Sequence, residues 1–204
     1  MTEIEKMLTF NYEECCDYLK VKYGVIKKNY FTSPLCKYPN NSIKRGKEGL
    51  FIHHIDEDKA IMLSESEYAI KNPFEYQHGN RLVYCNLLEH LVLHIKIVEN
   101  PHPDKNKDED VGVGGIFNYI IPELNDIYSG IEYSNWKIAV IDSVIDFKKD
   151  YFKCLEYLMK ISDIDLKYYL SSFVYNLLYK KWKKENNKKI FKEITQLYSD
   201  IKNN

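Results

Sequence analysis

Apolar residues recur at helical spacing over the first 30 or so positions, at Ile4, Met7, Leu8, Tyr12, Cys15, Cys16 and Leu19, and Lys22-Tyr23-Gly24 closes that pattern. A polar, turn-rich connector follows from Ser33 to Gly49, with Pro34, Pro39, Asn40 and Asn41 and the positive charges of Lys37, Lys44, Arg45 and Lys47. Such a segment is either a solvated loop or a contact for backbone phosphate. The pattern then shortens to Gly49-Leu50-Phe51-Ile52-His53-His54-Ile55, an apolar run of strand formers that Asp56-Glu57-Asp58 ends. A mixed stretch, 59 to 79, turns at Asn72-Pro73, and Arg81 to Cys85 reads as a second short strand. From Asn86 the period becomes helical in NLLEHLVLHIKIVEN, with Asn86 as N-cap and Pro101 just beyond the end. This segment is apolar around most of its circumference, so the helix is expected to be buried.

Positions 100 to 115, NPHPDKNKDEDVGVGG, read as a linker too polar to pack, with the glycine cluster at 112 to 115 as a hinge. That cluster lacks the Gly-Lys-Ser/Thr ending of a phosphate loop. Beyond it, 116 to 124 and 136 to 147 are apolar around a break at Tyr128-Ser129-Gly130, and heptad-like spacing from about Phe147 to Ile201 implies helix. The expected organisation is an N-terminal helical region over 1–39, a central unit over 40–100 and a mainly helical region over 116–204. Its class is α+β.

Composition narrows the function. A net charge of -1 supplies no global basic field for nucleic acid, so any such binding must come from local patches. One patch is the run from Lys180 to Lys192, seven lysines against one glutamate with Trp182 and Phe191 between them. It reads either as a phosphate-neutralising, base-stacking segment or as the charged face of a terminal helix that buries both aromatics. Five cysteines without C-x-x-C spacing imply reduced thiols, and the acidic start and lack of a long uncharged run imply a cytoplasmic protein without a membrane span.

Chemistry concentrates in the histidines. All six lie between positions 53 and 102. His90 and His94, four apart on one helix, present two imidazoles on one face, the arrangement that grips a divalent metal. His53 and His54, adjacent on a strand, face opposite ways and can serve one site only if the strand ends or twists there. Of the others, His78 is expected on a surface loop, Glu89 on the solvent face of the helix and Cys85 in the core.

The order strand with His53-His54, loop, strand Leu82-Val83-Tyr84-Cys85, helix with His90-Leu91-Val92-Leu93-His94 resembles the HNH, or ββα-metal, endonucleases found in phage- and plasmid-borne proteins of low-GC bacteria. The resemblance covers about 45 residues. It implies a small ββα-metal core flanked by helices, with His53, His90 and His94 holding one divalent ion (Mg, Mn, Ni or Zn) and His54 acting as general base in DNA cleavage. Arg81 stands where the family carries asparagine; Asn80 is its neighbour. Asp56 is a reserve ligand, and Lys44, Arg45 and Lys47 are candidate nucleic-acid contacts. Oligomeric state stays open. The alternative from another class is an interaction protein on the same scaffold, encoded by a mobile element and inhibiting a host defence nuclease in the manner of an anti-CRISPR, through a protein partner.

Overall fold

The computed structural model describes residues 1–132, 137–173 and 184–203. Trp136, Leu177 and Trp182, with the lysines up to Lys183, lie outside the described residues. Two strands, β1 (Phe51–His54) and β2 (Leu82–Cys85), and the helix α4 (Leu87–Glu99) stand at the centre. Around them are α1 (Glu3–Leu8), α2 (Tyr12–Tyr23), α3 (Ser66–Ala69), α5 (Val113–Gly115), α6 (Ile121–Tyr128), α7 (Ile138–Val144), α8 (Lys148–Ile161), α9 (Leu166–Tyr169) and α10 (Lys188–Lys202). The expected mixture of helices with a small sheet is therefore present. No described helix is long and apolar enough to cross a membrane.

Local chemistry sets the element ends. The N-terminal helical pattern divides because Asn11 caps a second helix, its side chain bonded to the Glu14 amide while the Glu14 carboxylate returns to the Asn11 amide. Thr2 and Glu5 cap α1 in the same reciprocal way. So do Asn86 and Glu89 on α4, satisfying backbone donors that a helix start leaves open.

The strands pair antiparallel with Phe51 opposite Cys85, Ile52 opposite Tyr84, His53 opposite Val83 and His54 opposite Leu82. Successive side chains leave opposite faces. Val83 and Cys85 join the main core with α4, whereas Leu82 and Tyr84 pack with Ile26, Ile43 and Leu50 on the other side. The main core runs from Ile4 on α1 through α4 to Tyr151, Leu155 and Leu158 on α8 and Ile194 on α10, so all three sequence regions contribute to one buried cluster.

Two expectations are corrected here. Residues 100–115 are not a free linker: Val111 is buried, the Asn106 amide donates to the Lys59 carbonyl, and Glu109 accepts from the Ile61 amide at 2.7 Å. The polar residues satisfy backbone groups of the loop they lie on, which is why a polar composition packs. Glu89 does not face solvent either. It is fully buried, bonded to Lys22 Nζ at 2.6 Å and to the Tyr23 hydroxyl, because the capped end of α4 abuts α2.

Candidate metal centre

His53 leaves β1 on the face that α4 covers, and one face of α4 presents His90 and His94 to it. The three rings lie close: His53 to His90 5.1 Å, His53 to His94 5.2 Å and His90 to His94 4.8 Å between centroids. A fourth group joins them, Glu57, in the short turn Ile55–Asp58 that follows β1. Potential ligand atoms of His53, Glu57, His90 and His94 lie within 4.8 Å of one another.

The contacts identify the inward-facing atoms. Glu57 Oε2 stands 3.4 Å from His53 Nδ1 and 3.3 Å from His94 Nε2, and the Nε2 atoms of His90 and His94 are 3.1 Å apart. Metal–nitrogen bonds of about 2.0–2.1 Å in a tetrahedron place donors about 3.3–3.4 Å from each other. Those three separations match that spacing, and the four donors as a set lie within 4.8 Å of one another. His53 Nδ1 is buried and makes no hydrogen bond among the described residues, a cost that a bound cation would remove. The residues therefore fit a divalent ion, and a set of three imidazoles and one carboxylate suits zinc, nickel or manganese better than calcium.

Electrostatics agree with a cation site. Burial pushes the His53 imidazole down to about 3, partly opposed by the Glu57 carboxylate. Burial also lowers His90 and His94, which favours the neutral form that ligates. For Glu57 burial acts to raise the carboxyl, but the surrounding His53, His94 and His54 hold it below the usual carboxylate range.

His54 faces the other way, as strand alternation requires. Its ring packs on Tyr30 with centroids 4.6 Å apart, and its Nε2 lies 2.9 Å from Gln77 Oε1. Gln77 uses its amide nitrogen on the Leu63 carbonyl, so Oε1 accepts and His54 Nε2 donates. That leaves His54 Nδ1 unprotonated in the neutral ring, 3.7 Å from Glu57 Oε1. β1 ends at His54, and the turn beyond it lets one carboxylate reach both adjacent histidines. His54 is fully buried and does not line the cavity described below.

The other sequence candidates are elsewhere. Asp56, the reserve ligand, is turned to Arg81 Nε and Nη2, both at 2.7 Å, and to Lys59 Nζ at 2.9 Å, so its oxygens are committed to cations. Arg81, at the position expected for asparagine, thereby ties the start of β2 to the turn after β1, and Asn80 is exposed beside it. Arg45 pairs with Glu48 and the Tyr23 carbonyl, Lys44 and Lys47 are exposed, and none of the three lines the cavity. His78 meets Phe74 edge-on, and Cys85 is buried in the core, as are the other four cysteines, all free.

A cavity of about 470 Å³ opens beside the centre, with Glu57, His90 and His94 on its wall. The segment expected to be a hinge lines it too. α5 instead packs on the metal-facing helix: a Cβ on Gly115 would run into the His94 ring, and Gly112, at φ 82°, approaches the His94 carbonyl. Only glycine fits between them. Glu65, Asp108, Glu109 and Asp110 also line the cavity, and among the described residues no lysine or arginine does.

Glu57, Gln77 and Gly115 were missed in the sequence. A signal for Glu57 was present: it follows His53 by four residues and His54 by three, the offsets that share a face once a strand passes into a helical turn. Compared with protein-family models, curated proteins and solved structures, the chain matches none.

Proposed function

We propose that this protein is a metal-dependent endonuclease of the HNH kind that hydrolyses DNA phosphodiester bonds. The observation that carries the reading is the meeting of His53 from the first strand with His90 and His94 from the helix after the second strand, in ββα order, around mutually facing donor atoms. A divalent ion held there by His53, Glu57, His90 and His94 supplies charge neutralisation at a phosphodiester and lowers the pKa of water. On this reading His54 is the general base: Gln77 holds its Nε2 and leaves Nδ1 to accept a proton next to the same carboxylate, and because the ring is buried away from the cavity wall the role requires the site to open to water. The ion pair of Asp56 with Arg81 takes over the task of fixing the turn against the second strand.

One observation favours a second reading. The carboxylates on the cavity wall disfavour approach of a polyanion and suit a basic surface of a protein partner, with the metal in a structural role. Plasmid nicking by purified protein with Mn²⁺, Ni²⁺, Zn²⁺ or Mg²⁺, and with EDTA, separates the two. Metal-dependent nicking that His54→Ala abolishes, with the ion still bound, is the expected result. Absence of cleavage from folded, metal-loaded wild type would transfer the assignment to the interaction protein.

A further inference from the structure

Outside the ββα unit, α2 sends one side chain into the centre. Tyr12 follows the N-cap Asn11 and is 9% exposed, its ring set edge-on to His53 with centroids 6.0 Å apart. Its hydroxyl lies 2.7 Å from His53 Nε2 and 2.8 Å from the Ile55 carbonyl, with the His54 carbonyl at 3.5 Å. A carbonyl only accepts, so the single hydroxyl proton goes to Ile55. Towards His53 the hydroxyl must then accept, and Nε2 must carry the ring's proton. The unprotonated nitrogen of the neutral ring is consequently Nδ1, the atom 3.4 Å from Glu57 Oε2 and without a hydrogen bond.

We propose that Tyr12 is a positioning residue of the metal centre: its hydroxyl fixes His53 as the Nε2–H tautomer, aims the Nδ1 lone pair at the ion, and anchors the turn that carries Glu57. The proposal rests on the centre's binding a metal, though not on DNA cleavage. Ligating histidines commonly donate their second N–H to a fixed acceptor, which orients the ring and strengthens the ligand. Here one hydroxyl serves two ligand-bearing segments, the end of β1 through His53 and the turn Ile55–Asp58 through its first carbonyl. The N-terminal region, outside the resemblance to HNH proteins, is thereby part of the site.

The test compares wild type, Tyr12→Phe and Tyr128→Phe in Zn²⁺ and Co²⁺ titrations. Tyr128 also gives its hydroxyl to a carbonyl, that of Val144 at 2.8 Å, and is absent from the centre, so it controls for loss of one partly buried hydroxyl–carbonyl bond. Tyr12→Phe is expected to weaken metal binding roughly 10- to 100-fold and to alter the Co²⁺ absorption bands; Tyr128→Phe should do neither. Wild-type affinity in Tyr12→Phe, or an equal loss in both variants, would overturn the proposal. Should Tyr12→Phe fail to fold, long-range ¹H–¹⁵N correlation on wild type still decides it: a protonated Nε2 on His53 is expected, and a protonated Nδ1 overturns the assignment. Wild type that takes up no ion would instead overturn the centre itself.

Discussion

Glu57 touches three imidazoles, whereas its neighbour Asp56 touches only cations, and one position in a short turn makes the difference. Strand alternation ends at His54, and the turn Ile55–Asp58 advances with about three residues per turn, so position 57 comes round to the histidines while 56 points to Arg81. Glu57→Gln should therefore reduce Zn²⁺ affinity by an order of magnitude or more, since a carboxylate oxygen and its charge leave the donor set. Asp56→Asn should leave affinity near wild type and lower the thermal midpoint, because the buried oxygens lose part of their pairing with Arg81 and Lys59. Calorimetric titration and thermal unfolding read the two effects separately; the reverse assignment would show Asp56→Asn as the weak binder. The histidines were legible in the sequence because their spacing alone restricts their geometry. Glu57 was not, because Asp56, Glu57 and Asp58 are chemically alike and only the backbone after the strand chooses among them.

At the scale of elements, the strand, strand, helix order and the burial of α4 followed from period and capping, which act over a few residues and are written locally. The segment over 100–115 did not, since its packing comes from one buried apolar side chain, Val111, from bonds of Asn106 and Glu109 to the 59–61 backbone and from close backbone approach at its glycines, none of which makes a periodic pattern. Gly115 takes part because it has no side chain to collide with His94. Gly115→Ala should cost about 1–3 kcal/mol by overpacking and, if the centre holds the proposed ion, should also weaken metal binding, because the displaced ring is one of the four candidate donors. Gly114→Ala meets only Asn118 Nδ2 at 3.7 Å and should be near neutral. Urea unfolding of the two variants, each followed by a metal titration, checks the contrast; equal effects would mean that α5 does not abut the centre.

For the whole molecule, burying His53 among His54, Glu57, His90 and His94 makes stability depend on acid and on metal together. In metal-free protein the His53 ring stays neutral to about pH 3, while in the unfolded chain it takes up a proton near its ordinary value of 6.5. The unfolded state thus binds more protons between those values, so stability is complete above about pH 6.5 and falls as pH drops towards 3. The loss from one such ring approaches about 1.4 kcal/mol per pH unit. EDTA-treated protein should show a lower urea midpoint at pH 5.5 than at pH 7.5, and His53→Gln should lessen that difference, with His90 and His94 carrying the rest; a midpoint that rises on acidification would contradict the burial of neutral imidazole. Metal at a hundred times its dissociation constant should add about 2.7 kcal/mol. The shared core explains why helices far along the chain support the centre: α1 and α8 both pack on α4, so contacts distant in sequence hold the ligand helix in place.

The most direct measurement is the metal content and affinity of purified wild type beside His90→Ala and Asp56→Asn, by elemental analysis and competitive Zn²⁺ titration. One ion per chain in wild type and Asp56→Asn, with binding lost in His90→Ala, is the predicted result. No ion in folded wild type, or undiminished binding in His90→Ala, would contradict a centre built from His53, Glu57, His90 and His94.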